Sequence, residues 1–169
     1  LWKHRTIEED QGDLTHINDV EALNSGFENA FPLFEAGDLL VSLKHISTVA
    51  VLDQSGRIKW LNAQEFNRQH DADFEKDGRI TVFDNREDST TTGEYLGGSR
   101  VVAINPTDGK LEPIYPKDES KQFFTNAGGK HQLMENGNRL VTEARGGRIF
   151  EIDPLGNVVW DWIQQPYND

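Results

Sequence analysis

HINDVEALNSG (residues 16–26), GDLLVSL (37–43) and TVAVLDQSGRIKW (48–60) are the stretches that decide the fold, because the chain repeats their plan twice more. The second copy reads HDADFEK (70–76), DGRITVFD (77–84) and RVVAINPTDGKLEPI (100–114). The third reads HQLMEN (131–136), GNRLVTE (137–143) and GRIFEIDPLGNVVW (147–160). Each unit is a histidine, a Gly-polar turn, an apolar strand, a second strand, an Asp/Gly turn and a last strand. A period of roughly 40–60 residues built from four short strands is the signature of a β-propeller blade. The expected fold is therefore all-β, a propeller segment of about three four-stranded blades over residues 14–62, 68–116 and 130–164. A histidine heading the innermost strand of each blade would place His16, His70 and His131 around one axis.

The strand signals are β-branched or aromatic runs bounded by turns: Leu39–Leu43, Val49–Leu52, Ile80–Phe83, Val101–Ile104, Arg139–Thr142, Ile149–Ile152 and Val158–Trp162. Three turns share one chemistry, with Asp or Asn first and Gly last: Asp53 to Gly56, Asn105 to Gly109 and Asp153 to Gly156. Residues 86–99 read as a long polar loop, residues 116–129 as a short helix followed by a glycine loop, and residues 62–69 as one helical turn leading into His70. Trp2, Trp60, Trp160 and Trp162 stand at blade ends and are expected to pack between blades. Leu1 and Trp2 match Lys59–Trp60 and Val159–Trp160, so residues 1–5 read as the end of a preceding blade.

Composition narrows the function classes. Among 169 residues the formal net charge is −12. That surface disfavours a polyanion, so no nucleic-acid partner is expected. A local cationic pocket for a small anion remains open. There is no cysteine, hence no disulfide framework and no thiolate zinc site. No apolar run approaches the ~20 residues of a membrane span. Alternating acids from Asp71 to Asp77 suggest a calcium loop, but Lys76 stands at its sixth position and Val82 at its twelfth, where glycine and glutamate are required. No metal and no cofactor are expected, and no phosphate cradle is present.

Two segments carry a family resemblance. One is HINDV (16–20), followed by LVSLKHIS (40–47) and GRIKW (56–60); the other is Gln69-His70-Asp71, followed by VFDN (82–85) and Ser99-Arg100-Val101. Over roughly residues 14–105 the chain resembles the bacterial arylsulfotransferases, propeller enzymes that need no nucleotide sulfate donor. The resemblance implies a six-bladed propeller, a periplasmic or secreted location, and small aryl sulfate and phenol substrates. It implies ping-pong transfer of a sulfuryl group through a sulfohistidine. In that scheme His70 is the nucleophile, His16 a second active-site histidine, and Lys44 the cation on the sulfuryl oxygens. Lys44 stands where the family has an arginine and supplies a point charge instead of a bidentate fork. Asn18, Asn85, Arg100, His131 and Arg145 are candidate substrate-binding residues. His45, beside Lys44 on a strand, is expected to point the other way.

Two other readings compete. One is a non-catalytic binding module that keeps the channel residues. The other is a metal-dependent hydrolase using Asn18, Asp84, Asn85 and a histidine. Three blades leave open sides, so self-association, or further blades of a longer chain, is expected.

Overall fold

The structure, a computed structural model, describes residues 13–63 and 66–164. Twelve strands form three four-stranded antiparallel sheets. The first is β1 (Ile17–Ala22), β2 (Leu39–Leu43), β3 (Thr48–Leu52) and β4 (Ile58–Ala63). The second is β5 (His70–Phe74), β6 (Ile80–Asp84), β7 (Arg100–Ile104) and β8 (Leu111–Tyr115). The third is β9 (Lys130–Leu133), β10 (Arg139–Glu143), β11 (Arg148–Ile152) and β12 (Val158–Ile163). Each sheet is a simple meander in chain order, and the first strands of successive sheets lie side by side, β1 by β5 and β5 by β9. That is the propeller arrangement, all-β as expected.

Local chemistry builds the hairpins. Asp53 Oδ1 accepts from the amides of Ser55 and Arg57, and Asp153 Oδ1 from those of Leu155 and Asn157. Asn105 Oδ1 does the same for Thr107. Gly56, Gly109 and Gly156 close these turns with φ of 81, 70 and 83°, a region that suits glycine. The short helix in residues 116–129 is a single 3₁₀ turn, Glu119–Lys121, capped by Asp118. Among the described residues of 62–69 there is no helical turn.

The core lies between blades, not within one. Leu40, Val49 and Val51 of the first blade meet Phe74, Ile80 and Val82 of the second, with Phe31 and Phe34 from the β1–β2 connection. Phe83, Val101 and Tyr115 of the second meet Val141, Phe150 and Ile152 of the third, with Phe123 wedged among them. Trp60 packs edge-on against Phe34. Trp160 and Trp162 are exposed on β12, the last described strand, beside Val159 and Ile163. Trp2 and residues 1–5 lie outside the described residues.

Carboxylates stitch the inner strands together. Adjacent inner strands share no backbone ladder, so their amides need other acceptors. Asp19 Oδ2 accepts from the Ala72 amide at 2.8 Å and Glu21 Oε2 from the Phe74 amide at 2.6 Å. Asp71 accepts from the His131 amide and from Lys130 Nζ. Two of the acids of 71–77 are thus structural: Asp71 and Glu75 are buried, and Glu75 holds Arg139 at 2.8 Å.

Asp73 is the acid left without such an anchor. Burial, together with the charges of Asp71 and Glu21, pushes its carboxyl up to about 7 from an ordinary 3.8. The folded protein therefore keeps a proton that the unfolded chain releases, so stability falls as pH rises from about 4 to 7 and the penalty is constant above. Asp73→Asn removes it. At 1.36 kcal/mol per pKa unit, discounted for partial exposure, the expected gain is about 1–3 kcal/mol at pH 8 and none near pH 4. Urea unfolding of both proteins at the two pH values checks this; an equal effect at both would contradict it.

Candidate active site

His70 opens β5, opposite Phe83 on β6. The register slips between His70 and Ala72, leaving Asp71 as an extra residue at φ 51°. Such a bulge re-aims the side chain beside it. The His70 ring is half-buried, and its Nδ1 lies 2.7 Å from Asn85 Oδ1. Asn85 follows β6 and is fully buried. Its Nδ2 donates to the carbonyls of Thr125 and Gly128, at 2.8 and 2.7 Å. Those two bonds fix the amide orientation, so the atom facing His70 is the oxygen. An amide oxygen only accepts. His70 Nδ1 therefore carries the proton, and Nε2 keeps its lone pair.

Electrostatics hold His70 neutral. Burial lowers its pKa below the ordinary 6.5, and the charges of Lys44 and His16 lower it further, against the Asn85 hydrogen bond. Topology explains why these groups converge. Lys44 follows β2 as Asn85 follows β6, and the Lys44 amide donates to the His16 carbonyl at 3.0 Å. Asn18 Nδ2 donates to the Gln69 carbonyl at 2.8 Å, tying the head of β1 to that of β5. The buried Gln69 anchors the joint by donating to Ser42 Oγ and the Thr48 carbonyl.

His16 sits just before β1 at φ 50°. Its amide and its Nδ1 both meet the Asp13 carboxylate at 2.6 Å. Its ring stacks on that of His45, 4.8 Å between centroids. His45 does not lie beside Lys44 on a strand. Lys44 and His45 lie on a 3₁₀ turn, Lys44–Ile46, not on a strand, so the alternation of a strand does not apply. His45 Nδ1 is 2.6 Å from the Asp13 carbonyl. The sequence reading set His45 aside and did not single out Asp13.

The remaining candidates lie apart from His70. His131 is not the third equivalent of His16 and His70. It pairs with Val141, the counterpart of Val82, which faces Ala72, so it turns into the packing between blades. Arg139 donates to its Nδ1 at 3.0 Å, and its buried Nε2 has no partner among the described residues. Burial holds it well below the usual imidazole range. Arg100 pairs with Asp84 at 2.9 Å, on the strand position after Phe83. Asp84 also accepts from the Asn67 amide, so it is committed to structure and not to a metal. Arg145 is exposed in the β10–β11 turn, at the same end of its blade as Lys44 and Asn85. A cleft of about 660 Å³ lies between β5 and β9 beside Asp73, Lys130 and His131; His70 is not in its lining.

Three consecutive propeller blades, with a tautomer-locked histidine where the first two meet, define the class of this protein. Residues 2–165 match the family model described as Arylsulfotransferase (ASST). The chain belongs to that family. Among solved structures it is similar to virginiamycin B lyase from Staphylococcus aureus, at 13% identity and a TM-score of 0.53, covering 88% of this chain and 46% of that one. A streptogramin B lyase matches at 16% identity and a TM-score of 0.51, over 92% and 48%. Hydrazine synthase from Kuenenia stuttgartiensis matches at 13% and 0.58, over 98% and 40%. At these identities the likeness shows the fold alone. The chain spans less than half the length of these structures. No curated protein matches it.

Proposed function

We propose that this chain carries the nucleophilic part of a sulfuryl-transfer site, acting on aryl sulfates and phenols. The observation that carries the reading is the bare Nε2 of His70, held by an Asn85 amide that can face it only with oxygen. Nε2 attacks the sulfur of an aryl sulfate. The N–S bond forms, the S–O bond to the aryl group breaks, and the phenolate leaves with the electron pair. His16, on its Asp13 partner, supplies the proton to the leaving oxygen. A second phenol then gives its proton back to His16 and attacks sulfur with its oxygen, the N–S bond breaks with the electron pair returning to Nε2, and neutral His70 is restored. Two easier steps replace one hard step.

Lys44 is the cation for the charge that spreads over the sulfuryl oxygens. Asn18, Asn85 and Arg145 sit at the same end of the blades and are assigned to positioning and substrate contact. Arg100 and His131 are assigned to holding the frame. Family membership supports a periplasmic or secreted location; among the described residues no helix is long and apolar enough to cross a membrane. Ile17 and Val20 on the first blade, and the exposed face of β12, are the apolar edges that the remaining blades of a six-bladed propeller, or a second copy, would cover.

The test is a nitrophenyl sulfate. The expected result is one equivalent of phenolate in a burst, then turnover when a second phenol is added. Lys44→Ala should slow the burst by about 10²-fold or more without changing its amplitude, since it stabilises charge and does not accept the group. Lys44→Arg should match or exceed the wild-type rate. Stopped-flow traces of the three proteins decide it; a reduced amplitude in Lys44→Ala would mean that Lys44 does something else. A protein that binds aryl ligands and releases no phenolate would be the binding module, a reading that the lysine in place of the family's arginine favours.

A further inference from the structure

We propose that Asp13, His16 and His45 form a binding site for a divalent transition-metal ion of the zinc class, and that its occupancy shuts down the histidine chemistry at His70. The first half stands on geometry alone; the second rests on the function proposed above. One carboxylate oxygen of Asp13 and one ring nitrogen from each histidine lie within 4.8 Å of one another. Imidazole nitrogen and carboxylate oxygen are the donors that zinc and its neighbours take, at about 2.0–2.2 Å, so a set this close needs only small side-chain movement to close on an ion.

The backbone brings the three together. The His16 carbonyl accepts from the Lys44 amide at 3.0 Å, and the Thr15 carbonyl from the His45 amide at 3.1 Å. These bonds clamp residues 13–16 against the 3₁₀ turn that carries His45. The rings stack at 4.8 Å with 24° between their planes. Both Nδ1 atoms point at oxygens of the same residue, the Asp13 carboxylate and the Asp13 carbonyl, each at 2.6 Å. Without metal, protons occupy those two short contacts. A divalent ion replaces both protons at once, which is the usual exchange of N–H···O for N–M–O. Asp13 and His45 are exposed, so an ion enters from solvent and water completes its shell. The other close group among the described residues, Asp71, Asp73 and His131, is already filled by cations: Lys130 holds Asp71, and Arg139 holds the imidazole.

An ion held at His16 takes that imidazole out of the transfer. Zinc is therefore an inhibitor in this scheme, and chelation restores activity.

Cobalt(II) is the probe for binding, because a histidine site gives it a visible absorption band whether or not the protein is active. The expected result is one saturable ion per chain, displaced by zinc, with His45→Ala and Asp13→Asn each weakening binding tenfold or more. Circular dichroism checks that both variants are folded; His45 is exposed, and His45→Gln is the milder second variant. Absence of saturable binding in the wild type, or binding that His45→Ala and Asp13→Asn leave unchanged, overturns the site. The regulatory half is read separately. Zinc should suppress the phenolate burst in wild type, and His45→Ala should resist that suppression. Cobalt binding without any effect of zinc on an active protein overturns the inhibition while leaving the site. Cobalt binding in a protein with no burst activity overturns the sulfuryl-transfer reading and the inhibition that rests on it, and leaves the site.

Discussion

His70→Asn should abolish both the burst of phenolate from an aryl sulfate and the later turnover with a second phenol. The expected loss is on the order of 10³-fold or more, as for removal of other covalent nucleophiles. The substitution is mild for the fold. An asparagine amide can still donate to Asn85 Oδ1, and His70 opens β5 at only half burial. What it lacks is a basic lone pair, because the amide nitrogen's electrons are delocalised. The pH dependence follows from the same environment. His70 is held below 6.5 by burial and by Lys44 and His16, so the loss of wild-type burst rate that comes from protonating His70 should lie on the acid side of 6.5. Pre-steady-state kinetics of both proteins across pH 5 to 8 measure this. Phenolate release in His70→Asn at the wild-type rate would remove His70 from the mechanism.

The second large effect belongs to Asn85. Asn85→Leu keeps the size of the side chain and removes three hydrogen bonds: one to the His70 ring and two to the Thr125 and Gly128 carbonyls. The His70 proton is then free to move to Nε2, the atom that must attack. Loss of the partner that fixes an imidazole tautomer elsewhere costs up to about 10⁴ in rate, and a loss of about 10²–10⁴ is expected here. Stability also falls, by about 1–3 kcal/mol, because the Gly128 carbonyl loses this donor and the Thr125 carbonyl keeps only the longer bond from Ser99 Oγ, at 3.3 Å. Nitrogen-15 spectra of the ring separate the two effects. Wild type should show a protonated Nδ1 and a bare Nε2, and the variant a mixture. A variant that keeps the wild-type tautomer and burst rate would show that Asn85 serves the fold alone.

Much of the fold was legible because its determinants are local. The β3–β4 and β11–β12 hairpins join their strands by Asp/Gly turns, and each turn closes through the side chain of its own first residue. The strands that were hard to see are β5 and β9. Both line the propeller centre, and β5 is rich in carboxylates that meet the neighbouring blade instead of solvent. An acidic alternation normally marks a solvated face, so its structural use here had no local signal. The site was half legible. His70, His16, Lys44 and Asn85 stood out through motif pieces.

The sequence by itself determined the repeat, the blade plan, the turn types and the family, since all of these depend on residue order over short distances. Tertiary structure decided which groups meet. A one-residue difference in register sends His131 into the interblade packing, while His70 faces Asn85. A 3₁₀ turn, in place of a strand, brings His45 onto His16. Two carbonyls some 40 residues beyond Asn85 select the nitrogen of His70 that carries the lone pair. These outcomes depend on pairings between distant segments, and bulges such as the one at Asp71 shift those pairings without leaving a mark in composition or periodicity.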